Sequence, residues 1–163
     1  MFEIRLGHYE RIDDDFQCRG SYSTVIKVQN IYSKKVYAAK LLDENEYLND
    51  SKYFNREIDI LSKYNHPTII KFIGFSRTNF DDRPIPIILL EFAPRGSFRD
   101  YLDGIRSERK RHGYDDTNLQ IILIGVARGM MFLHENEIEH RDLKPGNILL
   151  DENLYPKLAD FGL

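Results

Sequence analysis

The sequence has no tryptophan, one cysteine and no long apolar run. Each scarcity excludes something. A single cysteine, Cys18, cannot build an internal disulfide framework, so packing must hold the fold, and such usage suits a reducing compartment. The apolar run Ile85 to Leu90 is interrupted by Pro86 and is far too short to cross a bilayer. The opening residues carry Glu3 and Arg5 and do not read as a signal segment, so a soluble, cytoplasmic protein without a membrane segment is expected. Charge of one sign is scarce too. With 23 basic and 26 acidic residues, the net charge of −3 leaves no electrostatic footprint for nucleic acid. Internal repeats and low-complexity segments are also missing.

What is present describes a packed globular chain. Apolar residues make up 42% and charged residues 30%, and ten Phe and ten Tyr argue against disorder. A length of 163 residues is enough to bury a sizeable core.

Periodicity changes along the chain. Val25–Val28 and Val36–Ala39 alternate as strands around the polar link 30–35. From about Asn49 the period becomes helical, with Phe54, Ile58 and Leu61 on one face and Asn49, Asp50 or Ser51 as the cap. His66-Pro67 stops that helix. Strands are expected over Ile69–Gly74 and Ile87–Phe92, and Ser97 caps a short helix through Leu102. Thr117 or Asn118 opens a long helix with a stripe of Leu119, Ile122, Val126, Met130 and Leu133. Asn147–Leu150 and Tyr155–Leu158 read as a hairpin turned by Asp151-Glu152-Asn153. The basic stretch 106–112 reads as a solvated loop.

The densest chemical information lies in His140-Arg141-Asp142-Leu143-Lys144-Pro145-Gly146-Asn147, followed by Asp160-Phe161-Gly162. Asp142 can accept a proton and Lys144 can neutralise a phosphate. Asn147 and Asp160 offer hard oxygen ligands to magnesium. This pairing resembles the eukaryotic-type protein kinase catalytic domain, whose catalytic loop reads H-R-D-x-x-x-x-N and whose metal-binding turn reads D-F-G. Lys144-Pro145 is similar to the serine/threonine group, with the tyrosine-kinase-like branch as the other grouping. Tyr37-Ala38-Ala39-Lys40 resembles the lysine strand of the same family, and Glu57 follows at the spacing of its helix partner.

The resemblance implies an α+β, protein-kinase-like two-lobed fold. Residues 1–92 would form a small lobe with an antiparallel sheet and one helix. Residues 93–163 would form the front of a mostly helical large lobe. It further implies ATP and Mg2+ as cofactors and a protein Ser/Thr hydroxyl as acceptor. Asp142, Lys144 and Asn147 would be catalytic, with Asn147 and Asp160 on the metal. Gly20, Val25, Ala38, Lys40, Glu57, Glu91, Ala93, Leu149 and Asp160 would bind the nucleotide complex. Phe161 would be an apolar anchor packed on His140, Leu61 and Phe72. Arg141 would pair with a phosphorylated residue in a later segment.

Two departures stand out. The phosphate-covering loop keeps only Gly20 of three family glycines, with Cys18 and Ser23 in the other places. Glu139 stands where an aliphatic residue is usual. The depleted loop, with a sequence reaching one residue past Gly162, leaves a non-catalytic nucleotide-binding regulatory module as the alternative. It also gives the expectation that these 163 residues alone are inactive.

Overall fold

The alternating segments of the first half form strands, and their register decides which residues share a face. The structure, a computed structural model, describes residues 2–12, 17–19, 23–43, 52–108 and 116–161. Contacts divide the chain into two units. One is Met1–Lys63 with Lys71–Phe92, and the other is Tyr64–Ile70 with Ala93–Leu163. The expected break after Phe92 coincides with one boundary. The short segment 64–70 belongs with the second unit instead.

In the first unit, strands β1 (Tyr9–Arg11), β2 (Gln17–Arg19), β3 (Ser23–Asn30), β4 (Val36–Leu42), β5 (Phe72–Ser76) and β6 (Ile87–Glu91) make one antiparallel sheet. Its order is β1-β3-β4-β6-β5, with β2 also paired to β3. The β3–β4 link is a local device. Asn30 Oδ1 accepts from the backbone N–H groups of Tyr32 and Ser33 at 3.0 and 2.9 Å. Ile26, Val28, Ala39, Ile87 and Leu89 form a core on one face of the sheet. Tyr37, Leu41 and Phe80 pack against its edge.

Helix α1 (Lys52–Lys63) buries Phe54, Glu57, Ile60 and Leu61. The expected Ile58 is only half-buried, and the expected caps at 49–51 lie outside the described residues. The chain's first segment closes the sheet at β5. Ile4 N–H donates to Phe75 O at 2.8 Å, and Phe75 N–H donates to Phe2 O at 2.9 Å. Phe2 meets the ring of Phe72 edge-on, with centroids 5.5 Å apart. Gly74 permits this approach, because a Cβ there would stand 2.5 Å from Phe2 O.

In the second unit, helices α2 (Phe98–Glu108) and α3 (Thr117–Glu135) flank the hairpin β7 (Ile148–Leu150) and β8 (Pro156–Leu158). Asp151 turns the hairpin by accepting from the N–H groups of Asn153 and Tyr155, both at 2.9 Å. Ser97 opens α2 reciprocally with Asp100. Its Oγ accepts the Asp100 N–H at 3.2 Å, and its own N–H donates to Asp100 Oδ2 at 2.9 Å. The Ser97 hydroxyl also donates to Asp100, which holds that carboxyl below its ordinary range. The helix runs well past the expected end at Leu102, because Ile105 adds a further buried position.

The strand expected from Ile69 begins only at Phe72. Ile70 N–H donates to Leu158 O, and Leu158 N–H donates to Thr68 O, at 2.9 and 2.8 Å. The segment therefore serves as a neighbour of β8, which explains its place in the second unit. Gly96 O receives Leu150 N–H on the other side of the hairpin at 2.9 Å. Two sequence-distant stretches thus grip β7 and β8.

The apolar stripe of α3 lies as expected, with Ile122 and Leu133 fully buried. Ile121, Leu123, Ile124 and Met131 are exposed, so the helix is apolar on more than one side. Gly125 and Gly129 let the hairpin approach the helix backbone. A Cβ on Gly129 would meet Thr68 Oγ1 at 2.6 Å and Leu158 Cδ1 at 2.8 Å. Gly104 in α2 has open space around it. The two helical glycines should therefore respond oppositely to alanine. Gly129→Ala should lower stability by about 1–3 kcal/mol through overpacking. Gly104→Ala should raise it by about 0.5–1 kcal/mol through helix propensity. Parallel thermal unfolding of the two variants checks both signs.

Candidate active site

The register of the first unit sorts its side chains before any ligand is considered. Residues directly opposite each other in an antiparallel pair share a face, as do residues two apart in one strand. Val25 is opposite Lys40, and Ala38 is opposite Leu90. Val25, Ala38, Lys40 and Leu90 therefore share one face, the one opposite the Ile26–Ala39–Leu89 core. Helix α1 reaches that face through Glu57. Lys40 Nζ donates to both carboxylate oxygens, at 2.8 and 2.7 Å. The two side chains are only 9% and 4% exposed. Such burial is tolerable because each charge neutralises the other. The pair presents a fixed ammonium on the same face as the small side chain of Ala38.

Glu91 ends β6, where its N–H donates to Lys71 O and its carboxylate accepts from Lys71 N–H, both at 2.9 Å. Ala93 follows, and its carbonyl accepts a long bond from Gly96 N–H at 3.3 Å. Val25 and Ser23 lie on β3, whereas Gly20 lies outside the described residues.

In the second unit, a short irregular loop sets the remaining groups. Lys144 Nζ donates to Asp142 Oδ2 at 2.6 Å. Asn147 Nδ2 donates to the same Oδ2 at 2.8 Å and to the Asp142 backbone oxygen at 2.9 Å. Pro145–Asn147 form a single 3₁₀ turn, closed by Asn147 N–H to Lys144 O at 2.9 Å, which folds Asn147 back towards Asp142. Asn147 is buried, while Asp142 keeps partial exposure and Lys144 is open to solvent. The hydrogen bond from Lys144, with a smaller one from Asn147, holds the Asp142 carboxyl below its ordinary range. Asp142 is thus an ionised acceptor with one side open.

The same asparagine connects to Asp160. Its backbone oxygen accepts Ala159 N–H at 2.9 Å, at the end of the Ile148–Leu158 ladder. Asp160 itself has φ of +62°, a left-handed conformation in which few residue types settle, and it is half-buried. Asn147 spends its Nδ2 donors on Asp142, which leaves Oδ1 as the amide's acceptor. An amide oxygen and one carboxylate fit magnesium, a hard cation that keeps waters and substrate oxygens as its other ligands. No cluster of three His, Cys, Asp or Glu suited to a metal occurs among the described residues. The donor set therefore suits a shared ion better than a protein-only cage. Leu149 stands on β7 opposite Lys157 and bridges to Ser97.

Phe161 is fully buried with its ring centroid 4.9 Å from that of His140. Burial pushes the His140 imidazole below its usual value, so it is neutral at pH 7. Neither ring nitrogen has a hydrogen-bond partner among the described residues, and the backbone groups of His140 and Ala159 oppose the downward push only in part. Three features here were not expected from the motifs. These are the Ala159 bond to Asn147, the left-handed backbone at Arg141 and Asp160, and the ion pair of Glu139 with Arg141 at 3.2 Å. Only the odd charge at Glu139 signalled anything.

The Lys40–Glu57 pair makes a stability prediction. Lys40→Met should cost about 3–5 kcal/mol, because Glu57 keeps a buried charge without its main partner. Lys40→Met with Glu57→Leu should recover much of that loss. Denaturant unfolding of both variants measures the difference.

Comparison with known proteins agrees with this geometry. The protein kinase domain matches residues 18–163. A putative 3-phosphoinositide-dependent protein kinase 2 from Homo sapiens is 32% identical over 145 residues, covering 88% of this chain and 34% of that protein. Serine/threonine-protein kinase PBS1 from Arabidopsis thaliana is 35% identical over 154 residues, covering 92% of this chain and 32% of its own length. Serine/threonine-protein kinase STY46 from the same plant is 35% identical over 145 residues, with coverage of 88% and 23%. The chain spans about a third or less of these relatives. With a matched domain running from Cys18 through the Asp160 turn, the chain belongs to the protein kinase family.

Proposed function

We propose that the protein is a serine/threonine protein kinase that transfers the γ-phosphoryl group of ATP to a protein hydroxyl. The observation carrying this reading is the triad of Asp142, Lys144 and Asn147. One ionised carboxylate is held between an ammonium and an amide and remains partly open. In the reaction, Asp142 orients the acceptor hydroxyl and takes its proton. Lys144 balances charge on the moving phosphoryl group. Lys40, fixed by Glu57, neutralises nucleotide phosphates. Asn147 and Asp160 are the residues that would hold Mg2+, which supplies charge neutralisation on the phosphate oxygens. Positioning and fixed electrostatics supply most of the acceleration, so a preformed hydrogen-bonded loop matters more than any covalent step.

Val25, Ala38 and Leu90 provide an apolar surface for the adenine ring. Gly20 and the backbone groups of Glu91 and Ala93 belong to the same reading. The serine/threonine preference follows Lys144-Pro145 and is supported by the similarity to the serine/threonine-protein kinases PBS1 and STY46. A reducing, cytoplasmic location is proposed on the strength of a single cysteine in 163 residues. No helix among the described residues is long and apolar enough to span a membrane.

The test is phosphoryl transfer from MgATP to Ser- and Thr-containing peptides by the full-length protein. Asp142→Asn should lower kcat by roughly 10²–10⁴-fold, the usual worth of a positioned base. Nucleotide binding without turnover above that variant would instead identify a regulatory module. Lys144 makes a second prediction. Because its hydrogen bond depresses the Asp142 pKa, the parent should stay active as pH falls through the ordinary carboxylate range. Lys144→Met should move the acid limb of the kcat/KM profile upward. A pH–rate series on both proteins checks the direction.

A further inference from the structure

We propose that Glu139 is a positioning residue for the proposed reaction. Its carboxylate is the resident anionic partner of Arg141 and holds the turn that aims Asp142. The turn itself is strained. Arg141 has φ of +64°, and Asp142 N–H donates to His140 O at 2.9 Å across it, closing a three-residue turn. For a residue other than glycine, such a turn persists only when its surroundings fix it from several sides.

Two of those sides are a buried ring contact and a hydrogen bond to the backbone. His140 is buried against Phe161 on the near side. On the far side, the Asp142 carbonyl is held by Asn147 Nδ2 at 2.9 Å. Neither anchor acts on Arg141 itself. Its side chain is fixed by Glu139, whose Oε2 accepts from Nε at 3.2 Å. The pair flanks the buried His140 in sequence as residues i and i+2, so the ion pair ties the chain on either side of that residue. Both side chains are largely exposed, 53% for Arg141 and 73% for Glu139. An exposed pair contributes modestly, so the expected effect on turnover is about fivefold at most.

The family pattern assigns Arg141 to an anion brought from elsewhere, on a phosphorylated residue. Here a carboxylate two residues away already occupies that guanidinium. Glu139 thus supplies within the loop the negative charge that a modification would otherwise bring. The inference rests on the kinase reading of the same site.

The experiment measures kcat, KM for MgATP and thermal unfolding in the full-length protein. The variants are Glu139→Gln, Glu139→Asp, Arg141→Gln and the double variant Glu139→Gln with Arg141→Gln. Glu139→Gln should lower kcat by about three- to fivefold with KM for ATP unchanged, and Glu139→Asp should restore most of it. In the Arg141→Gln background, Glu139→Gln should add no further loss. An active parent with a silent Glu139→Gln, or with losses that multiply in the double variant, overturns the positioning role alone. A Glu139→Gln that lowers the unfolding midpoint without changing kcat shows a merely structural pair and also overturns it. A parent with no turnover above Asp142→Asn fails the kinase reading and takes this role with it.

Discussion

Asn147 holds the second unit's chemistry together. Its side chain ties down both the backbone and the carboxylate of Asp142, and its own carbonyl receives Ala159 beside Asp160. One buried residue thereby connects two segments separated by the whole β7–β8 hairpin. A side-chain amide can do this because it donates in two directions and still keeps an acceptor. An aspartate there could not donate to Asp142, and an alanine would leave a buried carbonyl with one partner fewer.

The charges of the two units are handled differently, and the difference follows from burial. Lys40 and Glu57 are sealed away and neutralise one another, so their geometry is set by packing as much as by attraction. Asp142 and Lys144 are more open and depend on short, charge-assisted hydrogen bonds within a turn. A buried pair gives a rigid cation. An open pair leaves a carboxylate that solvent still reaches. Both arrangements rest on ordinary packing devices: a strand register in the first unit, and small helix residues against a hairpin in the second.

Much of this was legible in the amino-acid order. Alternation located β3 and β4, and the motif spacing identified Asp142, Lys144 and Asn147 before their hydrogen bonds were known. What escaped was set by long-range competition or by backbone angles. Ile69 and Ile70 have strand character, yet their partner is Leu158, nearly ninety positions away, and no local pattern announces that. The helix expected to end at Leu102 continues, because Ile105 still has apolar surface to bury. The left-handed backbone at Arg141 and Asp160 was invisible because it is imposed by neighbours, and neither residue type demands it. Gly20, with Ser21 and Tyr22 beside it, lies outside the described residues.

The segment 2–4 carries a consequence of its own. Strand β5 is the last in its sheet, and a bare last strand offers unsatisfied amides to any extended chain in solution. Phe2 and Ile4 occupy Phe75 first, and Gly74 gives them room to lie flat. The opening residues therefore act as a guard against intermolecular strand addition. Disturbing that pairing would leave β5 as a bare template for aggregation.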